Sequence, residues 1–121
     1  MKNYDLVIHE KNAADASQKV DVLGCLDSHT VVDFEKSMQN VLAGMPSHLI
    51  LNLSQLTYIS SAGISALMGL THRLRKDNGE LILLKPSEKV FRVFRTLGFT
   101  AIFKIVESDD ALQDALASRL G

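Results

Sequence analysis

The stretch Leu49 to Leu67, LILNLSQLTYISSAGISAL, constrains the fold more than any other part of this chain. His48 to Leu53 is a short, almost continuous apolar run, which suits a central strand covered on both faces. A few residues later Ser60-Ser61-Ala62-Gly63 opens into a helical pattern with Ile64, Leu67, Met68, Thr71 and Leu74 on one side. Asp77-Asn78-Gly79 is a good stop for that helix. A serine hydroxyl at the turn sits at a helix N-terminus, where free backbone N–H groups and the helix dipole favour negative charge. A phosphate added there is expected to leave the fold intact.

The rest of the chain alternates in the same way. Tyr4 to Glu10 and Lys19 to Leu26 read as strands, joined through the polar stretch Lys11 to Gln18 as a hairpin, so the first two strands are expected to be antiparallel. From Ser28 or Thr30 a helix buries Val31, Phe34, Met38, Val41 and Leu42, and stops at Gly44 ahead of Met45-Pro46. Glu80 to Leu84 is a further buried strand. Ser87 reads as the N-cap of a helix burying Val90, Phe91, Phe94 and Leu97, with Gly98 as its stop. Phe103 to Val106 is a short strand, and Ser108-Asp109-Asp110 caps a last helix burying Ala111, Leu112, Ala115 and Leu116. The order β-β-α-β-α-β-α-β-α implies an α/β domain with a mainly parallel sheet, right-handed crossovers and about four helices packed over it. No internal repeat, low-complexity segment or linker interrupts it, and 121 residues suit a single domain spanning 1–121.

The bulk numbers exclude several classes of partner. Thirteen basic against fourteen acidic residues leave a formal charge of −1, so no global field gathers nucleic acid or an anionic membrane. Partners must be recognised locally. The single cysteine, Cys25, excludes an internal disulfide and any multi-cysteine metal site, and there is no signal-peptide pattern or long apolar run. The expected setting is reducing and cytoplasmic.

The central run also resembles a known family. Leu-Asn-Leu, a short turn-like stretch, Tyr-Ile-Ser-Ser-Ala-Gly and an apolar helix are similar to the central motif of STAS domains, the anti-sigma factor antagonists and sulfate-transporter C-terminal domains. In the bacterial regulators that motif reads roughly Asp-Ser-Ser/Thr-Gly-Leu, and the serine after the aspartate is phosphorylated by a partner kinase. Matched to it, the acceptor falls on Ser61, the Ser/Thr position on Ala62 and the glycine on Gly63, while Ser60 replaces the aspartate. Gly24-Cys25-Leu26-Asp27 resembles the family's Gly-x-Leu-Asp at the end of an early strand. The resemblance covers nearly the whole chain and implies the same α/β architecture.

Each candidate residue also has a plainer role. Ser60 or Ser61 serves as an ordinary helix cap. As a nucleophile, Ser61 would need a base and an orienting acid, and the Gly-x-Ser-x-Gly elbow is absent. His9, His29, His48 and His72 are spaced for neither a metal site nor a triad, and both nucleotide-binding glycine fingerprints are missing. No catalytic residue, metal or cofactor is expected. Asp27 reads as a partner contact, the N-cap of the first helix, or both. Arg73, Arg75 and Lys76 suit the end of the central helix, and Lys89, Arg92 and Arg95 a solvated helix face.

The resemblance implies a binding module that, unmodified, binds an anti-sigma factor with serine-kinase activity and is released by phosphorylation of Ser61, with a serine phosphatase to reverse it. The alternative keeps the fold without the switch, as an unphosphorylated scaffold or ligand-sensing module. Asp27, Ser60, Ser61, Ala62 and Gly63, with the outward-facing Ser65 and Ala66, are expected to form one partner-binding patch, provided the family's strand order brings the end of the second strand beside the central helix.

Overall fold

The computed structural model describes residues 3–118. Its elements are β1 (Tyr4–Ile8), β2 (Ser17–Leu26), α1 (Val31–Ala43), β3 (His48–Asn52), β4 (Leu56–Ile59), α2 (Ser61–Lys76), β5 (Glu80–Leu84), α3 (Glu88–Thr96), a 3-10 turn (Phe99–Ala101), β6 (Lys104–Val106) and α4 (Asp109–Ser118). The β1–β2 hairpin is antiparallel, with Tyr4 opposite Gly24 and Ile8 opposite Val20. Every other pairing is parallel, and the sheet runs β1-β2-β3-β5-β6 with β4 attached to β2. The mainly parallel sheet with an antiparallel first strand is therefore present as expected.

The addition is β4, whose first half, Leu56 and Thr57, falls in the stretch expected to be turn-like. Four residues with only Leu56 and Ile59 buried carry little local signal. They become a strand because the ten-residue β2 changes partner along its length, pairing with β3 through Asp21 and with β4 from Gly24 to Leu26. Gly24 makes the change possible. Its φ of +87° and the Asn3 carbonyl oxygen 2.3 Å from where a Cβ would stand both demand glycine, and the register with β4 shifts between Gly24 and Cys25.

Strand alternation sends Val20, Val22, Leu49, Leu51, Leu81 and Leu83 to one face, where they pack with Phe34 and Met38 of α1, Ile64 and Leu67 of α2, and Val90 and Phe94 of α3. The other face holds a smaller cluster, Ile50, Ile82, Leu84 and Val106, covered by Leu112 and Leu116 of α4. This explains the unbroken apolar run of β3, whose two faces meet different helices. Ser87 caps α3 by accepting from the Val90 amide, and Ser108 accepts from the Ala111 amide at the start of α4.

Three core assignments shift. Met68 is 42% exposed, because α2 is rotated so that Ala66 and Leu70 join Ile64, Leu67 and Leu74 in the buried stripe and α1 packs over that side. Leu97 is exposed, lying past the last turn of α3 where Gly98 leaves in the left-handed region. Phe91 is half-buried, with the Arg95 guanidinium 6.0 Å from its ring centre.

Two glycines of α2 have opposite surroundings. A Cβ on Gly63 would stand 2.6 Å from the Leu26 carbonyl oxygen and 2.8 Å from Ile59 Cγ1, whereas a Cβ on Gly69 would meet nothing within 4 Å. Gly63→Ala is expected to destabilise by about 1–3 kcal/mol through overpacking against backbone. Gly69→Ala is expected to stabilise by about 0.5–1 kcal/mol, because it removes the entropic cost of a helical glycine without a clash. Urea unfolding of the two variants checks both signs.

Candidate functional site

The start of α2 is built by the end of β2. The Leu26 carbonyl accepts from the Ser60 amide at 2.9 Å, and the same carbonyl is the atom that keeps Gly63 without a side chain. The end of β2 and the first turn of α2 therefore touch, so Asp27 and the serine pair share one end of the sheet.

The two serines divide the available roles. Ser60 is half-buried with extended backbone (φ −96°, ψ 176°), and its Oγ accepts from the Gly63 amide at 3.4 Å as the N-cap. Serine and aspartate are both strong N-caps, so the replacement at position 60 preserves the cap. Ser61 is the first helical residue and is exposed. Amides in a helix's first turn lack intrahelical acceptors, and no acidic residue stands in the first turn of α2. A dianion on Ser61 Oγ would meet the positive end of a sixteen-residue helix with no carboxylate on that turn.

Asp27 organises the turn ahead of α1 and is not the helix cap itself. That position belongs to Thr30, whose side chain makes no cap hydrogen bond. Asp27 Oδ1 accepts from the His29 amide at 2.9 Å, the Thr30 amide at 3.1 Å and Thr30 Oγ1 at 3.3 Å. The Thr30 amide, then that of His29, hold its carboxyl below the usual carboxylate range. Buried Thr30 completes the knot, donating from Oγ1 to the Cys25 carbonyl and accepting from the Asp27 amide, both at 2.9 Å. Its part is missed when Thr30 is read only as a helix start. The signal was the Asp-x-x-Thr spacing, which places a hydroxyl three residues beyond an Asx turn.

Two of the expected patch residues are inside. Ala66 is 8% exposed, since it lies on the side of α2 that α1 covers, where it shares a groove with Phe34 and Met38. Gly63 is buried, and the backbone that approaches it closely is this chain's own Leu26. Ser61 and Ser65 are exposed, and Asp27, Ser60 and Ala62 are half-exposed. Helical periodicity does not announce the exposure of Met68, on the same side of α2 as Ser61 and Ser65, nor does local pattern announce that of Tyr58, two residues before Ser60.

Elsewhere the chemistry is sparse. His9, His29, His48 and His72 sit on separate segments, and among the described residues no three His, Cys, Asp or Glu side chains gather as a metal site. A depression of about 910 Å³ runs along the β6 edge beside Arg75, Phe91 and Lys104, and holds none of the candidate residues. No helix among the described residues is long and apolar enough to cross a membrane.

The described residues thus form a mainly parallel α/β sheet covered by helices on both faces, with an exposed serine opening the central helix. The chain belongs to the STAS family: the STAS domain model matches residues 15–114. It is 36% identical over 72 residues to BtrV of Bordetella bronchiseptica, a provisionally named anti-sigma factor antagonist; the match covers 60% of this chain and 62% of BtrV. A crystal structure of an anti-sigma factor antagonist from Mycobacterium paratuberculosis has the same fold, with a TM-score of 0.79 and 23% identity over 92% of each chain. So does the Bacillus cell fate determinant SpoIIAA in its phosphorylated form, with a TM-score of 0.67 and 20% identity over 92% of this chain and 99% of that one.

The division of labour between the serines is open to measurement. Ser60→Ala is expected to lower stability by about 1 kcal/mol through loss of the cap. Ser61→Ala should stay within about 0.5 kcal/mol of the parent, as an exposed substitution with no partner to lose. Asp27 has a depressed carboxyl, so its contribution is present above the unfolded value of about 3.9 and is lost as pH falls through the lower folded value. Asp27→Asn should therefore melt below the parent at pH 7, and the difference should narrow on acidification below about pH 4. Melting followed by circular dichroism tests all three.

Proposed function

We propose that this chain is an anti-sigma factor antagonist that binds an anti-sigma factor with serine-kinase activity in its unmodified form and is released by phosphorylation of Ser61. The observation that carries the reading is the pair at the start of α2: Ser60 holds the cap, so the Ser61 hydroxyl is exposed and has no structural bond to give up. The STAS match and the similarity to named anti-sigma factor antagonists support the partner class, and a phosphorylated SpoIIAA of the same fold supports the modification.

The physical logic separates binding from folding. A phosphoserine adds about 1.5 to 2 negative charges and a strongly hydrated group, which is costly to bury in an interface formed around a hydroxyl. At an exposed helix N-terminus the same group interacts favourably with free amides. Association is lost while the fold persists. The partner kinase brings ATP and magnesium, this chain brings the acceptor oxygen, and a serine phosphatase in the same cytoplasm restores the binding form. The contact surface of this reading is Asp27, Ser60, Ser61, Ala62 and Ser65. Gly63 and Ala66 support it from beneath.

Incubation with the purified anti-sigma factor of the source organism and magnesium ATP is expected to add one phosphate, found on Ser61 by fragment mass spectrometry. Ser61→Ala should accept none and stay bound, and Ser61→Asp should bind more weakly with a near-parental melting temperature. Phosphate confined to Ser60, or Ser61→Asp unfolding the chain, refutes the switch. A chain that binds without ever being phosphorylated is instead a scaffold or ligand-sensing module, the reading that the loss of the family's aspartate at position 60 would favour.

A further inference from the structure

The two outer edges of the sheet differ in how far they are protected. β6 is a three-residue strand headed by exposed Lys104, short and charged in the way that keeps an edge from recruiting another chain. β1 has five residues, no proline and an unbroken register with β2, its one partner among the described strands. Its second half leaves Val7 43% and Ile8 52% exposed, one on each face of the sheet.

The ladder fixes which backbone groups of β1 are free. The His9 amide donates to the Lys19 carbonyl and the Cys25 amide to the Asn3 carbonyl, so the odd-numbered residues from Asn3 to His9 bond to β2. The even-numbered ones, Tyr4, Leu6 and Ile8, turn their N–H and C=O groups to the open edge. Gly24, opposite Tyr4, keeps the same alternation on the far side of β2, where its amide donates to the Gln55 carbonyl. One of the outward donors, the Leu6 amide, is covered at 2.8 Å by the carboxylate of Asp5, itself an exposed residue.

We infer that β1 is a self-association edge: two copies of this chain pair β1 with β1, antiparallel, about a two-fold axis at Val7, and the sheet continues across both molecules. The occupant is a second copy because the strand is complementary to itself in that register. Leu6 falls opposite Ile8, both with outward backbone groups, Val7 meets its own copy, Asp5 meets His9 and Tyr4 meets Glu10, so apolar residues oppose apolar ones and no like charges meet. Centring the axis on Leu6 would set Asp5 against Val7, and centring it on Asp5 would oppose two carboxylates. On pairing, the Leu6 amide passes from the Asp5 carboxylate to the Ile8 carbonyl of the other copy. The association needs no other protein and does not involve Ser61. Pairing one five-residue strand falls short of the roughly 1,200 Å² of a stable interface, so the dimer is expected to be weak, with a Kd of about 100 μM.

Sedimentation equilibrium of the full chain tests this, with monomer expected at about 5 μM and mostly dimer at about 1 mM. Ile8→Pro removes an outward N–H that the β1–β2 ladder does not use, and should weaken association at least about ten-fold while keeping a near-parental circular dichroism spectrum. Val7→Lys and Val7→Glu each bring like charges to the two-fold axis and should each stay monomeric, whereas their equimolar mixture should associate about as tightly as the parent. Leu97→Lys, at an exposed apolar residue away from β1, should dimerise like the parent. A parent chain that is monomeric at about 1 mM refutes the inference. A parental dimer that Ile8→Pro and both Val7 variants leave intact refutes it too, assigning the contact to another surface. If the mixed Val7 variants associate no better than each alone, the two-fold register at Val7 is wrong.

Discussion

The Leu26 carbonyl is the atom on which the site depends. It accepts from the Ser60 amide at 2.9 Å and lies against the bare Cα of Gly63, so the last residue of β2 is joined to the first turn of α2 without intervening side chains. One residue later Asp27 and Thr30 tie the outgoing turn to the Cys25 carbonyl and to each other. The entry of α2 is thereby held at both of its neighbours, and Ser60 supplies the cap from within that frame. An exposed hydroxyl at position 61 is what remains once every structural obligation nearby has been met.

Separation of duties extends to the two cores. The larger cluster, under α1, α2 and α3, takes in Ile64 and Leu67 immediately behind the serine, so the helix carrying the site is anchored on its buried side and unencumbered on the other. The smaller cluster under α4 lies across the sheet. A charge added at Ser61 is consequently a surface event, felt by whatever rests on α2 and little by the packing that maintains the fold. The switch proposed for Ser61 would require this arrangement, because a modification that also melted the helix would destroy the proposed acceptor site with the interface.

Much of this was legible from residue order. The apolar run of β3, the serine caps of α3 and α4, Gly98 as a stop and the antiparallel hairpin all follow from local periodicity and turn chemistry, because each depends on neighbours a few residues away. The serine turn stood out for the same reason, as did the Gly24-to-Asp27 segment. What residue order could not supply was the reason for that segment: Gly24 lets β2 shift register as it takes up β4, and Asp27 pins a turn, both effects of chain that arrives from elsewhere.

β4, Met68, Ala66 and Gly63 mark the same boundary. A four-residue strand exists only because a partner strand offers it hydrogen bonds, and no hydrophobic period announces it. Helical spacing makes Ile64, Leu67 and Leu74 core residues, but whether the buried stripe extends toward Met68 or toward Ala66 depends on which side α1 packs, and α1 lies on the Ala66 side. The sequence alone determined the element types apart from β4, most of the buried residues and the serine at the head of α2, since short-range backbone and hydrophobic preferences decide them. Only the tertiary structure decided which serine caps, which small residue is filled by a neighbouring backbone and which face of α2 is free, because those are properties of the contacts between elements distant in the chain.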